Sequence, residues 1–299
     1  MHGFIQAPWG KRFLALLTFA ATGGGLQAAT NDNVSLPDKS RYSLFNPTPR
    51  AAMRELSTDR PDQTESPYTV DAGHFQLEMD VLNFSYDRYN PARNDTRVET
   101  TSLAAMNLKF GLCNRVDFQL GLNPYTRIRT TDRTTGTVTE QHGFGDVIPR
   151  LKWNLWGNDG GRSALALMPF VKLPANQDRV GTRAVEGGLI VPLAVELTER
   201  WHLGVMTELD FIRDDTGEGY HPETVNTLTI GFDFTRRLGG FLEFAGTVSA
   251  ESGSPWVGTF NTGLTFALTD DLQLDAGINL GVTRSADDFN PFIGFSFRL

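Results

Sequence analysis

The histidines are the side chains of this chain best suited to acid–base or metal chemistry. Four follow the N-terminal region, dispersed as His74, His142, His202 and His221. A hydrolytic site needs a nucleophile or activated water close to a histidine that a carboxylate or amide orients. None of the four lies in a recognisable nucleophile motif or at the spacing of zinc ligands. We therefore expect no enzyme, no metal and no other cofactor, with a hydrolase as a less favoured alternative.

Adjacent acids form a second set of side chains with chemical potential. They occur at 214–215, 270–271 and 287–288. Carboxylates are the ligands that Ca²⁺ prefers, so the pairs could bind this ion. Adjacent acids are also common in solvated loops and turns, which is the interpretation we favour.

Many of the remaining charged residues alternate with apolar ones, so that they share one face of a strand. Between residues 75 and 81, for example, apolar side chains occupy every second position, with Glu78 and Asp80 between them. This period of two is typical of β-strands. The charged positions opposite the apolar columns are Glu78, Asp80, Lys109, Asp117, Asp146, Arg150, Lys152, Glu208, Asp210, Asp233, Glu243, Asp275 and Arg298.

Twelve alternating segments follow one another after residue 73, and their apolar columns contain no charged residue. They lie near 75–81, 106–112, 116–122, 147–155, 165–173, 189–195, 201–211, 228–234, 242–248, 260–268, 272–280 and 293–299. Arg or Lys facing lipid at mid-bilayer costs about 2–4 kcal/mol, so clean apolar columns are what a lipid-facing surface requires. The sequence therefore predicts an all-β protein: a transmembrane, antiparallel up-and-down β-barrel of about twelve strands, whose charged columns line the lumen. A secreted, soluble all-β protein remains the alternative.

The connections between the segments alternate in length, as the turns and outer loops of such a barrel do. Short ones lie near 114, 198–200, 236–237 and 270–271, and long polar ones at 88–98, 127–142, 174–184, 213–223 and 283–290. An even number of strands places both chain ends on the periplasmic side. Pro149, Pro169 and Pro192 fall inside predicted strands, where we expect bulges or strand ends.

The N-terminal 28 residues have the layout of a secretory signal peptide. Lys11 and Arg12 precede a short apolar run, and small residues follow. Removal of this segment leaves 25 basic residues against 35 acidic ones, a net charge of −10. Such an acidic balance argues against nucleic-acid binding. Cys113 is the only cysteine, so no intrachain disulfide is possible.

Residues 29–72 lack periodicity, and we interpret them as an irregular N-terminal arm that precedes the barrel at 73–299. The arm carries a charged, proline-containing motif that we expect to enter the periplasmic mouth as a plug or gate. We expect Arg60 to pair with an inward carboxylate such as Asp146 or Glu78. A solvated tail without a gating role is the alternative. The plug candidates are Asp59, Arg60, Pro61, Asp62 and Glu65.

The same motif carries a family resemblance. The chain resembles outer-membrane transporters grouped under the meta-pathway of phenol degradation, through TDRPD at 58–62, ESPYTV at 65–70, GHFQLE at 73–78 and GFGDV at 143–147, with weaker likeness at 165–174 and 275–281. The resemblance implies a monomeric barrel in the outer membrane that passes small, often aromatic or apolar, molecules. Such chains usually end in an aromatic residue, whereas this one ends in Leu299, which puts recognition by the barrel-assembly machinery in doubt.

Residues and resemblance together predict a passive outer-membrane channel for small solutes. Its other expected partners are outer-membrane lipid, lipopolysaccharide and the assembly machinery, which would bind the C-terminal strand. A charged lumen favours polar solutes and the family favours aromatic ones. A sideways exit near Pro169 or Pro192 would reconcile the two. The alternative is a non-conducting, structural barrel in which ion pairs close the lumen.

Overall fold

The computed structural model describes residues 38–90, 93, 96–214, 217 and 219–299. The predicted signal peptide (1–28) and the first arm residues (29–37) lie outside the described residues. Among the residues that are described, no helix has the length and apolar character needed to cross a membrane.

The described chain is almost entirely β-structure. A single turn of 3₁₀ helix, Arg50–Ala52, lies in the arm. The strands are β1 (Phe75–Asp87), β2 (Arg97–Leu103), β3 (Met106–Cys113), β4 (Val116–Leu122), β5 (Tyr125–Thr131), β6 (Val138–Gly143), β7 (Val147–Trp156), β8 (Ser163–Lys172), β9 (Glu186–Glu196), β10 (Trp201–Arg213), β11 (Tyr220–Asp233), β12 (Leu238–Ser249), β13 (Val257–Thr269), β14 (Leu272–Gly281) and β15 (Phe289–Arg298).

These fifteen segments form twelve barrel strands. β2 and β3 are two halves of one strand that is interrupted at residues 104–105, β4 and β5 are interrupted at 123–124, and β6 and β7 at 144–146. Sequential antiparallel pairing runs around the wall, and β15 closes it against β1 from Gln76↔Arg298 to Tyr86↔Phe289. The predicted twelve-stranded antiparallel barrel is confirmed.

The alternation in sequence explains which face of the wall each side chain takes. In β12, for example, Leu242 and Phe244 are 46% and 43% exposed on the outside, whereas Glu243 between them is 1% exposed. Apolar side chains thus cover the exterior and polar ones fill the interior, the reverse of a soluble protein and the pattern of a membrane barrel. Within the described residues, the buried apolar cluster is small and consists of Met168, Ile190 and Met206.

The two ends of the barrel differ. Leu299 and the start of β1 lie together, with His74 Nδ1 2.9 Å from the Leu299 carbonyl oxygen. The connections at this end, such as 114–115, 234–237 and 270–271, are short, and those at the opposite end, such as 88–96, 173–185 and 250–256, are longer. In outer-membrane barrels the short turns are periplasmic, and we name the two ends accordingly.

Two features of the wall differ from the sequence prediction. The stretch 127–142, predicted to be a loop, contains most of β5 and β6, and only 132–137 form their connection. Because both faces of these strands are polar, they lack the alternation that identified most of the others. β2, which is also mostly polar, was not predicted either. The three prolines lie within strands, whereas bulges or strand ends were expected at them. The β7–β8 ladder has a gap beside Pro169, between the pairs Arg150↔Phe170 and Trp153↔Leu167, and the β8–β9 ladder has a gap beside Pro192.

Candidate functional site: the arm inside the barrel

Residues 57–70 of the arm form a loop that enters the lumen from the periplasmic end and returns. Its two limbs meet at the base, where the Ser57 and Ser66 hydroxyls are 2.8 Å apart. Higher up, the Ser66 backbone N–H donates to Asp59 Oδ1 over 2.9 Å. The arm therefore holds its own shape while it contacts the wall.

Asp59 is the centre of a buried cluster of opposite charges. Its carboxylate contacts Lys109 of β3 and lies 2.7 Å from Lys152 Nζ of β7. Lys109 also contacts Glu78 of β1, which accepts the Asp59 backbone N–H at 3.0 Å. The lysines and Glu78 are at most 2% exposed. Unpaired charges would be very costly at this burial, so the carboxylates and the lysines of the cluster stabilise one another.

Arg60 is held between two carboxylates on the opposite side of the loop. Its guanidinium is 2.6 Å from Asp80 of β1 and 2.6 Å from Asp275 of β14. The register Asp80↔Gly294↔Asp275 places both acids in one row, with the side-chain-free Gly294 of β15 between them. A Cβ at Gly294 would collide with the Arg60 guanidinium. The partners predicted for Arg60, Asp146 and Glu78, were wrong, although the pairing with inward carboxylates is present.

The tip of the loop contacts the far wall. Glu243 of β12 accepts the backbone N–H groups of Gln63 and Thr64 at 3.0 and 2.9 Å and the Thr64 hydroxyl at 2.6 Å. Glu65 pairs with Arg150 of β7 at 2.6 Å. The tip thus contacts opposite sides of the barrel.

The other two members of the motif lie between these contacts. Asp62 is close to Thr229 of β11 and to Glu243. Pro61 follows a cis peptide bond.

The base of the arm is fixed at the periplasmic rim by a second charge network. Asp71 is 3.2 Å from Lys39 and accepts the Arg54 backbone N–H at 2.9 Å. Arg298 of β15 donates to the Arg54 carbonyl at 2.9 Å and to Asp271 at 2.8 Å. Burial would raise the pKa of Asp271, but the hydrogen bonds and positive charges of Arg298 and Arg50 together outweigh it, so the pKa is lowered.

The remaining predicted lumen residues take several places. Asp117 is buried and accepts the Val70 backbone N–H at 2.9 Å. Glu208 and Asp210 lie on β10, beyond the arm tip on the extracellular side. Asp233 is exposed at the periplasmic rim, 3.1 Å from His202. Asp146 organises the loop after β8 by binding the Asn176 side chain and the Thr182 backbone N–H.

Two cavities lie on opposite sides of the arm. The extracellular one, of about 440 Å³, is lined by the arm residues Arg60 and Glu65 and by wall residues next to the interruptions of β2–β3, β4–β5 and β6–β7, namely Ala105, Met106, Leu122, Asn123, Gly145 and Ile148. The periplasmic one, of about 650 Å³, is lined by the arm from Arg54 to Thr58 and by Tyr68. The arm therefore separates an outer chamber from an inner one.

The histidines make no hydrolytic arrangement in the described part of the chain, where no ring nitrogen hydrogen-bonds a serine hydroxyl. His221 lies 2.8 Å from Asp214, and these two and Glu251 bring one ligand atom each within 4.8 Å of one another at the outer rim. Of the other acid pairs, Asp271 pairs with arginines at the periplasmic rim, and Asp287 lies 2.9 Å from Arg93.

Sequence reasoning missed the residues that let the arm approach the wall. Besides Gly294, Gly204 of β10 would bring a Cβ to 3.1 Å from Thr64, and Gly111 of β3 would bring one into the Asp71 backbone. The available signal was that glycines occupy lumen-facing positions within otherwise regular strands, which often marks close approach of another backbone.

The closed wall, apolar exterior and charged, occupied interior define an outer-membrane β-barrel. The chain belongs to the family described as "Putative MetA-pathway of phenol degradation", whose model matches residues 58–299. No curated protein sequence matches it.

Among solved structures, an outer-membrane channel of Pseudomonas putida F1 is similar in fold. The two share 12% identity, covering 81% of this chain and 100% of that one, with a TM-score of 0.59. The transport unit of the autotransporter AIDA-I from Escherichia coli shares 11% identity over 81% of this chain and 92% of that one, with a TM-score of 0.51.

Proposed function

We propose that this protein is a passive outer-membrane channel for small molecules, including aromatic or apolar ones, and that residues 57–70 are its gate. The observation that carries the proposal is the placement of the arm between two chambers, where it contacts strands on every side of the lumen. Family membership supports the aromatic substrate class.

The lining of the outer chamber supports a sideways route for apolar solutes while the arm is docked. It is lined by charged groups such as Arg150 and Lys172 and also by apolar Met106, Leu122 and Ile148. These apolar residues adjoin the interruptions of the wall, so an apolar solute would have a sideways route there. Pro169 and Pro192, the exits predicted from sequence, do not line this chamber. We therefore place the sideways route at the interruptions instead.

Several finer assignments accompany the proposal. We propose a monomer that lacks catalytic activity, is exported by cleavage of residues 1–28, and is assembled through its C-terminal strand. That strand keeps an outward apolar column at Ile293 and Phe295, which supports recognition by the barrel-assembly machinery despite Leu299. We also propose contact with outer-membrane lipid and lipopolysaccharide, which the apolar exterior supports.

Single-channel recording in planar bilayers tests the gate. The wild type and a variant lacking residues 40–70 should both show the heat-sensitive electrophoretic shift of a folded barrel. We expect the variant to conduct more, because the deletion opens the path between the chambers, and phenol to reduce the current. Unchanged conductance after deletion would overturn the gate.

A structural, non-conducting barrel is the second candidate, favoured by the buried charge pairs that join the arm to the wall. It predicts silence from the folded wild type and also from the deletion variant. If the deletion prevents folding, Arg60→Gln replaces it, since this change leaves the arm intact while it weakens docking.

A further inference from the structure

Three strands at the extracellular end carry charged residues on their outward face. Outward residues form rows through the register of β1, β2, β5 and β6. The lowest row, Leu82–Leu103–Tyr125, is apolar. The next is Phe84–Thr101–Arg127–His142, and the third is Tyr86–Glu99–Arg129–Glu140. The neighbouring positions face inward, as the buried Thr126 shows.

The position of these rows relative to the bilayer can be inferred from the free-energy cost of placing a charged side chain in lipid. An outward arginine costs about 2–4 kcal/mol at mid-bilayer and about 0–1 kcal/mol near the interface. Arg127 lies two residues beyond the lipid-facing Tyr125, which is about 7 Å along the strand. The aromatic residues Phe84 and Tyr86 occupy the same rows, and aromatic girdles mark the interface of membrane barrels. Arg127 and Arg129 therefore lie at the level of the lipid headgroups.

We propose that Arg127 and Arg129, with Arg97 in the row above, form a binding site for the phosphate groups of an outer-leaflet glycolipid, the lipid A part of lipopolysaccharide. The proposal rests on the outer-membrane location and is independent of what the lumen passes. Arginine binds phosphate with bidentate, charge-assisted hydrogen bonds.

The local charge and exposure fit this ligand. The mature chain is acidic overall, yet this outward patch holds three arginines against Glu99 and Glu140. The Arg127 and Arg129 side chains are 45% and 40% exposed. Arg127 lies 2.5 Å from Glu140, and Arg129 lies 3.4 Å from Glu99. These glutamates orient the guanidinium groups and compete with phosphate for them, which gives the patch a testable signature.

The test uses the full mature protein in phosphatidylcholine nanodiscs, titrated with lipid A that carries both phosphates or with the same lipid after dephosphorylation. Bound lipid per barrel is read by native mass spectrometry. We expect the wild type to prefer the phosphorylated form by about tenfold, which corresponds to about 1.4 kcal/mol. The double variant Arg127→Gln/Arg129→Gln should lose that preference. Equal binding of the two lipids by the wild type would overturn the proposal.

Two further variants separate the site from general effects of charge. Arg236→Gln/Arg237→Gln removes two exposed arginines from a periplasmic turn and should keep the preference, and an equal loss in this control would overturn the site. Glu140→Gln removes the competing carboxylate without removing an arginine. It should bind phosphorylated lipid A more tightly than the wild type, whereas a purely structural ion-pair network predicts no gain.

Discussion

Arg60 offers the sharpest test of how the arm is held. Arg60→Gln removes the cation between Asp80 and Asp275, whose side chains are 15% and 0% exposed. Removal of one partner from a buried pair costs about 3–5 kcal/mol, because a charge is left uncompensated. Arg60 itself is 16% exposed to the outer chamber, so we take the lower figure of about 3 kcal/mol. Each 1.4 kcal/mol is a factor of ten, so the docked-to-released ratio should fall by about two orders of magnitude.

Limited digestion with a glutamate-specific protease measures this ratio at the arm. Glu65, whose side chain is 15% exposed in the docked arm, should become a cleavage site in Arg60→Gln while the barrel keeps its heat-sensitive mobility. Single-channel open probability should rise in parallel. Arg60→Gln/Asp275→Asn is the matched control, because it removes an uncompensated carboxylate and should restore part of the protection. Unchanged cleavage in Arg60→Gln, or no recovery in the double variant, would refute the assigned role.

Three other predictions concern the wall, the rim and the outer chamber. Leu242→Arg should lower the free energy of unfolding in liposomes by about 2–4 kcal/mol, whereas Tyr220→Arg, at the end of β11, should cost about 0–1 kcal/mol. Because the pKa of Asp271 is lowered, its contribution to arm attachment is complete above the ordinary aspartate pKa and is lost as pH falls through the lowered value. Arg50→Gln removes one cause of the lowering, so pepsin should reach the arm at a higher pH than in the wild type. Gly121→Leu should fill the outer chamber against Ile148 and slow phenol uptake into liposomes. Gly231→Leu, outside that chamber, should not, and equal uptake by the two variants would contradict the route.

The fold could be predicted because the environment of a membrane barrel imposes a strict rule on every strand. Every second residue of β12 faces lipid, so Leu242 and Phe244 must be apolar, and Glu243 between them must face inward. The rule fails outside the hydrocarbon layer. β5 and β6 are polar on both faces, and nothing in their composition distinguishes them from a loop. The interruptions at 104–105, 123–124 and 144–146 were missed because alternation is present on only one side of each: β3, β4 and β7 alternate, whereas β2, β5 and β6 are mostly polar.

The site could be predicted in kind but not in detail. A charged arm before a barrel with charged inward columns implies ion pairing, since buried charges need partners. Which carboxylates receive Arg60 depends on register between distant strands, because Asp80 and Asp275 meet only across Gly294 of β15. The backbone contacts of Glu243 with residues 63–64 leave no trace in side-chain types.

The contacts of the arm also bear on the conflict between a charged lumen and an aromatic substrate class. Glu78, Asp117 and Glu243 all accept backbone N–H groups of the arm, so release of the arm removes hydrogen bonds from buried carboxylates that water must then replace. We therefore expect the released state to be hydrated and to suit polar solutes. The outer chamber lies on the extracellular side of the docked arm and reaches apolar wall residues at the interruptions. An apolar solute would thus need no arm movement to reach the membrane. On this reasoning Arg60→Gln should raise the passage of ions and leave phenol uptake nearly unchanged. Gly121→Leu should slow phenol uptake and leave the passage of ions nearly unchanged.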